Sequence, residues 1–104
     1  MNQKFALEEK IVNRLKTVYD PEIPVNVYDL GLIYNIDVKE NKEVDLEMTL
    51  TTPHCPAADF ILEDVKQKVE TIEGVEKVNI TLTFEPSWSK DMMSEEALLE
   101  LGFL

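Results

Sequence analysis

The one cysteine and the one histidine of this chain are neighbours, Cys55 and His54, in a polar stretch at residues 51–59, here called the cysteine loop. Proline is favoured as the first residue of a helix, because its missing N–H would have no partner there. Pro56 therefore predicts a helix start with Cys55 as the N-cap, near unpaired N–H groups and the positive end of the helix dipole. This position stabilises a thiolate, the form of cysteine that attacks electrophiles and binds soft metals.

Several kinds of chemistry use a Cys–His pair, and the sequence restricts each of them. A thiol hydrolase needs a third group that orients the histidine, and none is evident. A closed zinc site needs four ligands. An iron–sulfur cluster is usually held by four thiolates, whereas one chain supplies one and a homodimer two. An incompletely ligated cluster would be labile, which suits delivery. The alternative is that Cys55 is a small apolar residue without chemistry.

Three acidic residues form a second candidate site. Asp20, Glu22 and Asp29 lie at residues 20–31, here called the acidic loop, which contains two prolines and shows no sustained periodicity. Carboxylates of this kind bind hard cations, but helix caps and turns use the same residues. Both interpretations remain open from the sequence.

A third candidate is the segment at residues 88–93, here called the tryptophan segment. It carries Trp88, Met92 and Met93. Aromatic and methionine side chains are typical interface anchors, so these residues could form an exposed docking patch. The alternative is that they fold back over the sheet as part of the core.

Length and charge limit the class of protein. The 104 residues, 44% hydrophobic and 30% charged, are predicted to form one domain over residues 1–104. The net charge of −11 disfavours nucleic acid and anionic membranes as partners. The start of the chain lacks the apolar core of a signal peptide, and no apolar run approaches the ~20 residues that span a bilayer. With a single cysteine, which cannot form an internal disulfide, these features predict a cytoplasmic protein.

Hydrophobic periodicity predicts two helices, and capping signals predict a third. The first covers residues 5–18 and ends before Pro21, since a residue that precedes proline avoids the helical region. The second runs from about residue 56 to 72 and stops at Gly74. Ser94 is the predicted N-cap of a short third helix, which Gly102 closes.

Alternating apolar residues predict three strands, at residues 32–39, 43–51 and 75–84. The short link at residues 40–42 makes the first two an antiparallel hairpin with one wet face. The order helix, strand, strand, helix, strand, helix predicts an α+β fold, in which helices cover one face of a small three-stranded sheet. The residues predicted to face inward are Tyr34, Ile36, Val38, Val44, Leu46, Met48, Leu50, Val78, Ile80, Leu82 and Phe84, and those predicted to form a solvated face are Asp45, Glu47, Thr49, Thr81 and Thr83.

Four sequence stretches resemble a known family. They are DPEIPVN at residues 20–26, DLGLIY at 29–34, TLTTPHCP at 49–56 and WSKDMMSEEA at 88–97. In this order they are similar to the SufT-like family of iron–sulfur assembly factors, which includes the phenylacetate-degradation PaaD proteins and the eukaryotic cytosolic targeting factors. The resemblance spans almost the whole chain.

The resemblance implies a role in metal–sulfur maturation, with Cys55 as the reactive cysteine. His54 stands where glycine is common in the family, and its place beside Cys55 makes it the candidate second metal ligand. It implies that Asp20, Glu22 and Asp29 form the family's acidic loop, and that the fold is similar to the C-terminal domain of NifU-type scaffolds. PaaD proteins typically carry additional metal-binding cysteines, which this sequence lacks. The resemblance therefore favours general iron–sulfur maturation over an accessory role in phenylacetate ring oxygenation.

Three functional hypotheses follow. The first is a non-enzymatic accessory factor that binds iron or a cluster transiently through Cys55 and engages assembly proteins and apo-protein clients, with Trp88, Met92 and Met93 at the partner surface. The second is an adaptor that recruits clients and never holds metal. The third is a thiol enzyme that acts on a small electrophile. Homodimerisation is attractive in the first case, because it doubles the number of thiols.

Overall fold

The computed structural model describes residues 3–20, 23–51 and 58–103. The predicted order of helices and strands is confirmed, with one short 3-10 helix added before the last helix. The elements are α1 Gln3–Leu15, β1 Ile33–Val38, β2 Glu43–Met48, α2 Ala58–Glu70, β3 Lys77–Leu82, a 3-10 helix Lys90–Met92 and α3 Glu95–Glu100. Within the described ranges, no helix has the length and apolar character needed to cross a membrane.

The three strands form one sheet in the order β1-β2-β3. β1 and β2 are antiparallel, as the short link predicts, and β2 and β3 are parallel. The helices cover the apolar face of this sheet, where α1 packs against β1 and α2, and α2 packs against β3. The α+β prediction of a small sheet covered by helices is therefore confirmed.

α1 ends earlier than predicted. The helix stops at Leu15, whereas its apolar stripe continues to Val18, which is fully buried. The N–H of Val18 donates to Leu15 O at 3.1 Å, and its carbonyl accepts the N–H of Val27 at 2.8 Å. An isolated bridge between Tyr19 and Asn26 continues this pairing. Val18 and Tyr19 therefore pair with the acidic loop instead of continuing the helix.

A bulge changes the facing of β1. Ile33 pairs with Met48 and Asn35 pairs with Glu47, so the register shifts across Tyr34. Residues directly opposite each other on paired strands share a face. Ile33 therefore shares the inner face with Met48, and the prediction that Tyr34 continues the inward alternation is wrong, because a bulge inserts one unpaired residue.

β2 lies in the middle of the sheet and supplies the centre of the core. Val44, Leu46 and Met48 are at most 1% exposed. The prediction that Thr49 belongs to the solvated face is wrong, since Thr49 is fully buried. The strand has ended at Met48, and the N–H of Thr49 donates to Leu32 O at 2.8 Å. The alternation of inward and outward side chains along β2 therefore does not extend to Thr49.

β3 is less buried than its apolar pattern predicts. Val78 is buried, but Ile80 and Phe84 are half-buried and Leu82 is 37% exposed. The prediction of a buried inward face is wrong for Leu82. The physical reason is the position of β3 at the edge of the sheet, where inward side chains have neighbours on one side only.

Candidate functional site

The described residues on either side of the cysteine loop show which elements the loop connects. Leu50, just past the central strand, is 2% exposed, and Ala58 is the first residue of α2. The loop therefore joins the carboxyl end of β2 to the start of a helix that packs on β3. Crevices outside the carboxyl ends of parallel strands are where ligands bind in open α/β sheets.

Cys55 and His54 themselves lie outside the described residues. The predicted N-cap position of Cys55, the helix start at Pro56 and the role of both side chains as metal ligands therefore stay predictions. In the described ranges, no group of three or more His, Cys, Asp or Glu residues is placed to hold a metal ion.

The carboxylates of the acidic loop are used within the loop. Asp20, which is buried, accepts the N–H of Ile23 at 3.2 Å. Asp29 and Asn26 form a reciprocal pair: the Asn26 amide donates to Asp29 Oδ2 at 2.8 Å, and the Asp29 N–H donates to Asn26 Oδ1 at 2.9 Å. These contacts are the ones that the capping alternative requires. Glu22 lies outside the described residues, so cation binding by the three acids stays a prediction.

At residues 20 and 23–31, the acidic loop is an ordered part of the core, although these residues form no helix or strand. Its apolar residues Val25, Val27 and Leu30 are at most 1% exposed. Backbone bonds close it into turns, among them Leu30 N–H to Asn26 O at 3.0 Å. The prediction of an ordered loop at residues 20–31 is confirmed for the residues that the structure describes there.

The tryptophan segment packs onto the acidic loop. The Trp88 Nε1–H donates to Leu30 O at 2.6 Å, across a separation of 58 residues. Gly31 is in the left-handed region, with φ +82, and a Cβ there would lie 2.8 Å from the carbonyl carbon of Met92. Further along, the N–H of Ser94 donates to Asp29 O at 2.8 Å. Two stretches that the sequence treats as separate motifs are therefore one structural unit.

Of the three predicted partner-binding residues, two retain accessible surface. Met93 is 8% exposed and belongs to the core, which favours the core alternative for this side chain. Trp88 and Met92 are half-buried. Their role in binding partners stays a prediction.

Two further residues at these sites were not predicted from the sequence. Tyr34, displaced by the bulge, donates its hydroxyl to Pro86 O at 2.8 Å and to Met92 Sδ at 3.5 Å, and so ties β1 to the tryptophan segment. Phe60, in the first turn of α2, is 68% exposed beside the cysteine loop. Its signal in the sequence was that it falls outside the apolar stripe of a helix whose other large apolar residues face the core.

Among the residues that the structure describes, one charged cluster lies on the exposed face of the sheet. On the exposed face of the sheet, Lys39 pairs with Asp37 at 3.1 Å and with Asp45 at 3.5 Å. The hydrogen bond to Asp37 and the negative charges of Asp37 and Asp45 raise the pKa of Lys39. A hydrogen bond from Asn79 at 2.9 Å, assisted by the Lys39 charge, lowers the pKa of Asp45. These groups lie near the opposite end of β2 and are solvated, so the coupling stabilises the sheet surface.

Comparison with known proteins agrees with the described geometry. A Porphyromonas gingivalis protein named Fe-S protein maturation auxiliary factor is 69% identical over 105 residues, covering 100% of both chains. The Bacillus subtilis Fe-S protein maturation auxiliary factor YitW is 36% identical and covers 93% of this chain and 95% of its own. A crystal structure of a domain of unknown function from Bacillus anthracis superposes with a TM-score of 0.91 at 35% identity, covering 97% of this chain and 96% of that one.

The match to a described family covers both predicted loops. Residues 8–82, which include the acidic loop and the cysteine loop, match the family described as iron-sulfur cluster assembly protein. The resemblance inferred from the four sequence stretches is thereby confirmed. With most of its length inside this match, the chain belongs to the iron–sulfur cluster assembly protein family.

Proposed function

We propose that this chain is an accessory factor for the maturation of iron–sulfur proteins, in which the cysteine loop binds iron or a cluster transiently as cargo. The observation that supports the proposal is the position of the two described residues that flank the cysteine loop: Leu50 is buried just past the central strand, and Ala58 begins α2. The full-length similarity to a protein named maturation auxiliary factor supports the same role.

Cys55 is the proposed cargo ligand and His54 its neighbour in the same role. A single thiolate and one imidazole leave coordination positions that a partner protein or a small thiol must fill, because a stable cluster usually has four protein ligands. The cargo is therefore held loosely and passed on. No turnover of a substrate is required, so the proposed role is not enzymatic.

The partners are proposed to be iron–sulfur assembly proteins and their apo-protein clients. Phe60 offers an exposed aromatic side chain within a few residues of the cysteine loop, and aromatic residues are enriched among those that dominate binding energy. Trp88 and Met92 keep part of their surface accessible beyond the acidic loop. We assign Phe60 as the partner contact closest to the cargo.

The test replaces one atom. Cys55→Ser removes the thiolate, while Ser is itself a favoured N-cap residue, so α2 is preserved. In a deletion strain, the variant is expected to fail to restore the activity of iron–sulfur enzymes. Anaerobic reconstitution of the purified variant with iron and sulfide is expected to lose the charge-transfer absorption seen for the wild type. Identical spectra for the two proteins would remove Cys55 as the ligand.

The number of donor atoms favours a second candidate function. One cysteine and one histidine per chain suit an adaptor that recruits clients without holding metal. Under this alternative, Cys55→Ser restores maturation in the deletion strain and Phe60→Ala does not. The two variants together therefore distinguish carrier from adaptor.

A further inference from the structure

The third strand lies at one edge of the sheet. β3 is the last strand of the sheet, so β2 alone pairs with it among the described residues. The N–H of Thr83 donates to Met48 O at 2.9 Å, which directs the backbone of Thr83 toward β2. Backbone polar groups of successive strand residues point alternately to the two sides. The N–H and C=O groups of Val78, Ile80 and Leu82 therefore point to the open edge, where they are available to another strand.

A groove of about 530 Å³ follows this edge between α2 and β3. Polar and charged side chains contribute much of its lining, and Leu62 and Ile80 are its half-buried apolar residues. Leu82, two residues beyond Ile80 on β3, is 37% exposed. The lining residues are Asp59, Leu62, Glu63 and Lys66 of α2 and Val78, Asn79 and Ile80 of β3. The edge thus combines free backbone groups with a place for the inward side chains of an added strand, which is the arrangement used in β-augmentation.

We infer that this surface binds a second copy of the chain, with the two β3 strands antiparallel and Ile80 opposite Ile80 of the second copy. Directly opposite residues share a face, so inward residues must meet inward residues. Centring the pair at Ile80 places Val78 opposite Leu82 of the second copy. Each of these pairs then exchanges two backbone hydrogen bonds, and every free group of the three edge residues is satisfied.

The charges on α2 fit the same two-fold axis. Asp59 and Lys66 are seven residues apart, about two helical turns, and both line the groove. The two-fold rotation reverses the helix direction in the second copy, so Asp59 of each copy approaches Lys66 of the other. Leu62, halfway between them, approaches Leu62 of the second copy. A single two-fold rotation therefore pairs the free backbone groups, the apolar side chains and the opposite charges of the two copies. A strand of unrelated sequence from another protein would not pair all three.

This dimer separates the described residues that flank the two cysteine loops. Thr51 follows the carboxyl end of β2, and Ala58 begins α2. Antiparallel pairing of β3 places these residues of the two copies on opposite sides of the two-fold axis.

Charge reversal tests the two-fold axis. In sedimentation velocity at 0.15 M NaCl, the wild type is expected to dimerise reversibly with a Kd of about 10–100 µM, as small interfaces do. Asp59→Lys and Lys66→Asp are each expected to weaken the dimer about 10-fold, and the double variant to return it to within about 3-fold of wild type. Glu9→Lys and Lys10→Asp on α1 make the same changes in net charge and serve as controls. A double variant as weak as the single ones, or a monomer at every concentration up to about 1 mM, would overturn the proposal.

Disulfide trapping tests the register. In a Cys55→Ser background, Asn79→Cys and Thr81→Cys proteins are expected to form mixed disulfide dimers, because position 79 lies opposite position 81 with Cα atoms about 4.5 Å apart. Faster cross-linking of the Asn79→Cys protein with itself would contradict the register. Leu82→Lys places a charge on the inner side of the open edge and is expected to abolish dimerisation with an unchanged unfolding midpoint. Dimerisation that persists in this variant would exclude the β3 edge as the interface.

Discussion

The acidic loop and the start of α2 both belong to the family match, but they are packed to different degrees. In the acidic loop, Val25, Val27 and Leu30 are almost fully buried. The backbone carbonyl of Leu30 accepts a hydrogen bond from the indole N–H of Trp88. At the start of α2, Asp59 and Phe60 are exposed. The difference indicates that packing holds the first region in a fixed shape, whereas the second leaves its side chains open to solvent.

The largest effect is expected from Gly31→Ala in the packed region. A Cβ at this position meets the Met92 backbone, and a non-glycine residue at φ +82 is strained. We expect a loss of about 3 kcal/mol in the free energy of unfolding, measured by urea denaturation. Gly102→Ala is the matched control, because it has nearly the same φ, +83, and no atom within 4 Å. It should cost about 1 kcal/mol. Equal losses for the two variants would contradict the close contact between the acidic loop and the tryptophan segment.

A smaller effect is expected from Trp88→Phe, which keeps an aromatic ring but removes the donor to Leu30 O. A buried acceptor left without its partner costs about 1–3 kcal/mol. We therefore expect a stability loss of about 1.5 kcal/mol by the same measurement. Tyr34→Phe removes the more exposed bond to Pro86 O and should cost about 0.5 kcal/mol. A larger loss for Tyr34→Phe than for Trp88→Phe would mean that the Tyr34 hydrogen bond contributes more to stability than the Trp88 hydrogen bond.

Phe60→Ala reports on the exposed region. Because the side chain is 68% exposed, the free energy of unfolding should change by less than about 0.5 kcal/mol. If the side chain contacts partners, iron–sulfur enzyme activity in a complemented deletion strain should fall several-fold. Phe5→Ala, at a side chain that is 62% exposed on α1, should leave that activity unchanged. Equal effects of the two variants would remove Phe60 as a specific contact.

The smallest effect is expected on the solvated face of the sheet. The pKa of Asp45 is lowered on folding from its ordinary value of 3.8, first by the hydrogen bond from Asn79. A lowered folded-state pKa contributes stability that is fully present above the unfolded-state pKa and is lost as pH falls through the folded-state pKa. The stability difference between the wild type and Asp45→Asn should therefore be constant near neutral pH and shrink below about pH 4. In an Asn79→Ala background this pH dependence should be weaker, and an unchanged dependence would contradict the role of that hydrogen bond.

Much of the fold was predictable because its signals are local. Apolar periodicity predicted two of the helices and the three strands, and the short link predicted the hairpin. Ser94 was correctly predicted as the N-cap of α3, where its hydroxyl accepts the N–H of Ala97 at 3.2 Å. The errors lie where distant residues decide. The end of α1, the bulge at Tyr34 and the burial of Thr49 all depend on pairing with other segments.

The sequence by itself determined which residues could carry the chemistry, since it contains a single thiol and a single imidazole. It also determined the order of elements, in which the cysteine loop comes between β2 and α2. Only the tertiary structure decided that the acidic loop and the tryptophan segment are one unit and that Met93 is core. It also decided that β3 keeps an open edge. The physical reason is that periodicity records which side of an element is apolar, whereas the partner of that side is set by contacts between residues far apart in the chain.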